Sequence, residues 1–173
     1  MESTLQSVRP ITKENPYRIC FVCLGNICRS PTGEGVMQHE VNQAGLSSYF
    51  EIDSAGTGAY HVGEKANSKS RKVAEEHGIK LHSTARKFEP SDLDYFDLVL
   101  AMDRQNFKDL KSMAKTDDHT AKIHLLRDFD SDPDDFEVPD PYYGGLNGFY
   151  DVFYIVQRSC KGLLEELKQH VTS

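Results

Sequence analysis

The chain has 173 residues, 38% of them hydrophobic and 27% charged, with 20 Lys and Arg against 27 Asp and Glu for a formal net charge of −7. Such a length suits one compact domain with a sizeable core, and the composition excludes the disordered and membrane classes. The acid excess argues against a nucleic-acid surface or an anionic-membrane footprint, so an anionic substrate needs a local positive site.

Residues 1–15 lack the apolar core of a signal peptide, and no run approaches a membrane span. They are expected as a flexible extension ahead of one domain over 16–173, in a cytoplasmic protein that is a monomer. Tyr17 to Cys23 (YRICFVC) is an apolar, β-rich run ended by Leu24-Gly25-Asn26, the pattern of a buried parallel strand. A helix is expected from Ser30-Pro31, with Ser30 as N-cap, to a stop at Gly45. The alternation then repeats: strand over Tyr49 to Asp53, helix over Ala66 to His77 ended by Gly78, strand over Phe96 to Ala101, helix over Arg104 to Ala114, strand over Lys122 to Leu126. An acidic, Pro-rich loop from Arg127 to Gly148 leads into a long periodic helix from about Phe149 to His170. Alternating strands and helices imply an α/β fold, a doubly wound four-stranded parallel sheet of flavodoxin-like type with helices on both faces. Ligands bind such sheets beyond the carboxyl ends of the strands, where Cys23 falls.

Four cysteines, Cys20, Cys23, Cys28 and Cys160, are too clustered for a disulfide scaffold. Cys20 and Cys23 have zinc-like spacing, but no second ligand pair follows and the segment reads as strand. Asp128, Asp130 and Asp132 imitate the start of a calcium loop, yet Pro133 and Pro139 occupy the positions that need Gly and Glu. No metal and no cofactor is expected.

Cys23-Leu24-Gly25-Asn26-Ile27-Cys28-Arg29-Ser30 places a cysteine, five residues and an arginine between strand and helix. Backbone N–H groups of such a turn converge on one anion, and the helix N-terminus adds a favourable dipole. Gly25 and Asn26 allow the sharp turn, because both tolerate left-handed backbone. Arg29 offers a planar fork for two phosphoryl oxygens, which Lys does not match. The same positive field favours the Cys23 thiolate, the form that attacks phosphorus and splits hydrolysis into formation and breakdown of a phosphocysteine.

The run Val22 to Pro31 (VCLGNICRSP) resembles the signature of low-molecular-weight protein tyrosine phosphatases, and Asp140 to Gly144 (DPYYG) resembles their acid loop, the likeness extending over roughly Tyr17 to Leu167. This resemblance implies that Cys23 is the nucleophile, Arg29 binds phosphate, and Asp140 protonates the leaving oxygen and later activates water, with Pro139 and Pro141 stiffening its loop. It further implies that Ser30 steadies the thiolate as leaving group, alongside its expected capping role, and that Asn26 fixes the loop through Ser54. Asn26 also suits a simple turn. Cys28 corresponds to a residue that traps an oxidised nucleophile as a disulfide, and it equally suits a small buried hydrophobe. Cys20 and Cys160 read as structural. The family commonly carries a histidine before an Ala-Arg pair; here the run is His82-Ser83-Thr84-Ala85-Arg86, with Ser83 in the nearest slot.

Tyr60, Tyr142 and Tyr143 match positions where the family places aromatic walls that favour phosphotyrosine, with Leu24 lining the loop. Members acting on phosphoarginine tend to carry Thr where this chain has Ile27, so phosphotyrosine proteins are the expected substrates and inorganic phosphate the product. Arsenate reductase, which uses the same loop, needs relay cysteines that Lys80 to Leu100 lacks.

Overall fold

The computed structural model describes residues 3–142 and 144–173. Strands β1 (Tyr17–Cys23), β2 (Phe50–Gly56), β3 (Leu98–Ala101) and β4 (Ile123–Leu125) form a parallel sheet in the order β2-β1-β3-β4. Helices α1 (Arg29–Gln43), α2 (Ser68–Glu76), α3 (Asp92–Tyr95), α4 (Arg104–Met113), α5 (Asp117–Ala121) and α6 (Leu146–Leu167) connect and cover them. This is the expected doubly wound arrangement. The order reverses between β1's neighbours, so the carboxyl end of β1 opens into a crevice.

Side-chain alternation along β1 assigns the two faces. Ile19, Phe21 and Cys23 join Met37 of α1, Val73 of α2, and Phe153 and Leu163 of α6 in one core. Cys20 and Val22 point the other way, into a second core with Leu93 of α3 and Leu110 of α4. Both faces are apolar because both are covered, as a parallel sheet requires. At Gly33 a Cβ would stand 2.5 Å from the Phe21 ring, so a glycine is what lets α1 lie close on β1.

Several expected boundaries shift. β2 runs from Phe50 to Gly56, with a 3-10 turn at Ser47–Tyr49 where the strand was expected to begin. α2 starts at Ser68 because Asn67 caps it, its side chain accepting from Lys69 N at 2.8 Å. The expected strand from Phe96 loses its first residues, and α3 precedes it. α5 is a single capped turn that periodicity cannot reveal, built on Thr116 accepting from the His119 amide. Leu126 leaves β4 for a 3-10 turn, Leu126–Phe129, and α6 begins at Leu146, three residues early, giving way to a final 3-10 turn at Lys168–His170.

Residues 1–15 were expected as a flexible extension, and the described part of them, residues 3–15, is packed on the body instead. Ile11 is fully buried, donates its N–H to His170 O at 2.8 Å and accepts from Thr172 N at 2.9 Å. Arg9 grips Asp97 through Nε at 3.1 Å and Nη2 at 2.8 Å, and the same carboxylate accepts from Arg18 N at 2.8 Å. Leu5 is buried as well, its amide donating to Glu166. The sequence hides this because Leu5, Val8 and Ile11 are spaced among polar residues in neither a strand nor an amphipathic-helix pattern; the end of α6 and the tail after it supply the partners of Leu5 and Ile11. Among the described residues, no helix is long and apolar enough to cross a membrane.

Candidate active site

β1 delivers Cys23 to the carboxyl edge of the sheet, and the chain turns through residues 24–28 into α1. Asn26, 1% exposed, holds the turn with φ of 58°, a left-handed conformation that asparagine tolerates. Its backbone N–H donates to Cys23 Sγ at 3.3 Å. Its side chain donates to Ser30 Oγ at 2.7 Å and Ser54 Oγ at 3.0 Å, and its Oδ1 accepts from Arg86 N at 3.0 Å. Asn26 is therefore a fully engaged brace that ties loop, β2 and the 84–86 segment together, more than a simple turn residue. The Ser54 hydroxyl continues the chain by donating to Glu34 Oε1 at 2.6 Å.

Ser30 does not cap α1. The cap position is Cys28, without a side-chain bond, and Ser30 lies inside the first turn, fully buried, because its hydroxyl is drawn to the sulfur. Ser30 Oγ lies 3.0 Å from Cys23 Sγ and also donates to Ala55 O at 3.3 Å. Gly56, opposite Cys23 in the β1–β2 register, has no room for a side chain: a Cβ would stand 2.7 Å from Leu24 O and 3.2 Å from Asn26 N.

Arg29 is 3% exposed, yet its guanidinium is well supplied. It donates from Nη1 to Asp103 Oδ2 at 2.6 Å and Val138 O at 3.1 Å, and Nη2 lies 3.6 Å from Asp140 Oδ2. Burial works against its charge, but Cys23, Asp103 and Asp140 outweigh that and raise its pKa, so it stays a cation. Asp103 is held in turn, its Oδ1 capping α4 by accepting from Asn106 N at 2.7 Å. Asp140 is partly exposed on the 127–145 loop and accepts from Tyr142 N at 3.0 Å.

These groups border a cavity of about 370 Å³, whose walls include Leu24, Ile27, Cys28, Tyr60, His61 and Tyr142 beside Cys23, Arg29 and Asp140. That size is within the range of small-ligand sites. Tyr60 and Leu24 project into solvent at the mouth, as aromatic and aliphatic rims do. Tyr143, the third tyrosine expected on the wall, lies outside the described residues. Burial first, then the neighbouring Cys23 and Asp140, push the Cys28 thiol up to about 12. Cys20 and Cys160 are fully buried in the cores, and all four cysteines are free.

Sequence reasoning missed three contributors. His61 lines the cavity, bonded to Glu64 at 2.7 Å and packed on Tyr142, and carries no local motif. Asp103 was readable in principle: an aspartate two residues past β3, at the switch point beside β1, is where an arginine's anchor belongs. Glu34 sits one helical turn past Ser30, on the side facing Ser54. His82, whose part was open, is exposed and lies outside the network; the backbone of Arg86 occupies Asn26 instead.

A parallel α/β sheet whose carboxyl edge gathers a cysteine, a buried arginine and a carboxylate around one small cavity is built to receive a small anion. Comparison with known proteins makes the class specific. The family model described as low molecular weight phosphotyrosine protein phosphatase matches residues 18–173. A low molecular weight protein-tyrosine-phosphatase of Streptomyces coelicolor is 43% identical over 157 residues, covering 90% of this chain and 96% of that one. The crystal structure of a protein tyrosine phosphatase from Entamoeba histolytica superposes with a TM-score of 0.86 at 39% identity, over 88% of this chain and 97% of that one. A Drosophila arginine phosphatase superposes with a TM-score of 0.81 at 32% identity, over 87% and 97%. The chain belongs to the low molecular weight phosphotyrosine protein phosphatase family and is a protein tyrosine phosphatase.

Proposed function

We propose that the protein hydrolyses phosphotyrosine in proteins through a phosphocysteine intermediate, with Cys23 as nucleophile, Arg29 as phosphate-binding cation and Asp140 as general acid, then base. The Cys23 thiolate attacks phosphorus, an S–P bond forms as the P–O ester bond breaks, and Asp140 gives its proton to the departing phenol oxygen. Water then attacks phosphorus, Asp140 takes its proton, the S–P bond breaks, and inorganic phosphate leaves. Ser30, 3.0 Å from the sulfur, stabilises it as the leaving group of this second step. Asn26 and Ser54 hold the loop from Leu24 to Arg29, whose amides receive the phosphoryl oxygens.

The observation that carries this reading is the placement of Arg29 between Asp103, Val138 O and Asp140 at the rim of the cavity that Cys23 lines. Tyr60, Tyr142 and Ile27 on its walls favour an aryl phosphate over phosphoserine or phosphoarginine. Tyr143 is proposed to complete the wall. Cys28, on the same wall, is the proposed redox partner: after a peroxide oxidises the Cys23 thiolate to the sulfenic acid, the Cys28 thiol condenses with it, releasing water and forming a disulfide.

Cys23→Ser is expected to lower kcat on an aryl phosphate by about 10⁴-fold or more while vanadate still binds, and Asp140→Asn to lower it about 10²–10³-fold. Ordinary turnover by the Cys23→Ser protein overturns the nucleophile. Faster hydrolysis of phosphoarginine than of phosphotyrosine peptides overturns the substrate.

A further inference from the structure

A second cavity, of about 350 Å³, lies between α1 and residues 78–83 and shares no lining residue with the catalytic one. Glu34 forms part of its wall. Burial pushes the Glu34 carboxyl upward, the Ser54 hydroxyl is its hydrogen-bond donor, and among the described residues no cation stands within ion-pair distance of it; Arg86 acts on it only from further off. Lys80 and His82 lie on the cavity rim with their side chains in solvent, and His39 is half-buried there. Ser83, across from α1, keeps a buried hydroxyl oxygen without a hydrogen-bond partner. A desolvated carboxylate without a counter-ion and a buried hydroxyl without a partner are both costly, and one donor-rich guest relieves both.

We infer that this cavity is a second binding site, for a small planar cation with several N–H groups, of the guanidinium class. The guest donates to Glu34 and, after rotation of the hydroxyl about χ1, to Ser83. Its effect reaches the catalytic loop through bonds already described: Ser54 donates to Glu34, Asn26 donates to Ser54 and Ser30, and Ser30 adjoins the Cys23 sulfur. A cation that keeps Glu34 ionised strengthens its hold on the Ser54 proton. Ser54 then becomes the better acceptor for Asn26, and the brace tightens.

The test titrates the full chain with methylguanidinium, follows backbone amide resonances, and measures kcat on an aryl phosphate. Saturable shifts are expected at Glu34, Ser54 and residues 81–83, with kcat rising about two- to fivefold and KM little changed. Glu34→Gln is expected to weaken binding about tenfold, as loss of one charge-assisted bond does. Ser83→Ala is expected to weaken it too, with kcat in the absence of the cation unchanged. N-methylurea, planar but neutral, should not compete. Absence of saturation, shifts centred on Asp140 and residues 24–29, or equal binding in the Ser83→Ala protein overturns the site. The kcat arm rests on Cys23 as nucleophile, whereas the binding arm does not, so failure of either reading is seen separately.

Discussion

Single atoms decide how close the catalytic loop sits to its support. Gly56 is the clearest case, because a methyl group there meets backbone oxygen and nitrogen of the loop, which cannot swing aside as a side chain can. Gly56→Ala is expected to cost about 1–3 kcal/mol in denaturant unfolding, the penalty of overpacking. Its kcat/KM on an aryl phosphate should fall about a hundredfold, because loop displacements near an ångström misalign the attack. An unchanged kcat/KM would show that the loop tolerates displacement. At this scale the sequence was highly informative for Cys23, Arg29 and Asn26, whose types are dictated by local backbone or by charge. It was silent on Gly56 and Glu34, because their parts depend on which strand and helix become neighbours, and Asp103 becomes readable only once β3 is placed beside β1.

At the level of elements, the segment carrying Asp140 looks unstructured in sequence, yet its root is fixed. Arg127, 2% exposed, donates to Asp130, Asp134 and the Glu137 carbonyl, and Arg158 of α6 binds the same Asp130. The run of acidic residues is therefore in part an anchorage for two arginines, legible only once α6 is known to pack there. Burial opposes the Asp130 charge, but its bond to Arg158, the Asp132 amide and both guanidinium charges prevail, and its pKa is lowered. A carboxyl lowered on folding stabilises the fold at pH values above its unfolded pKa of about 3.9, and that contribution is lost as pH falls through the lower folded value. Asp130→Asn should accordingly destabilise by about 1–3 kcal/mol at neutral pH, because Arg127 and Arg158 lose the carboxylate they share while Arg127 keeps Asp134 and the Glu137 carbonyl, and the deficit relative to the parent should shrink in acid. A deficit independent of pH in thermal melts would assign the loss to packing instead.

Across the whole molecule, the parallel sheet and its two-sided covering followed from the strand–helix alternation, since crossovers between parallel strands leave few topologies. The N-terminal segment did not, for its docking depends on surfaces formed by residues far along the chain. Ile11→Ala is expected to cost about 2–5 kcal/mol, as a buried isoleucine truncation does, with kcat and KM on an aryl phosphate unchanged. A changed KM would mean that this end of the sheet communicates with the cavity.

The pairing of Ile11 with Val171 brings the first and last stretches of folded chain side by side, beyond the amino ends of the strands. Cys23 stands at the other pole. An affinity tag, fluorescent reporter or surface tether attached through either stretch thus extends away from the catalytic mouth, leaving room there for a partner as bulky as a folded polypeptide.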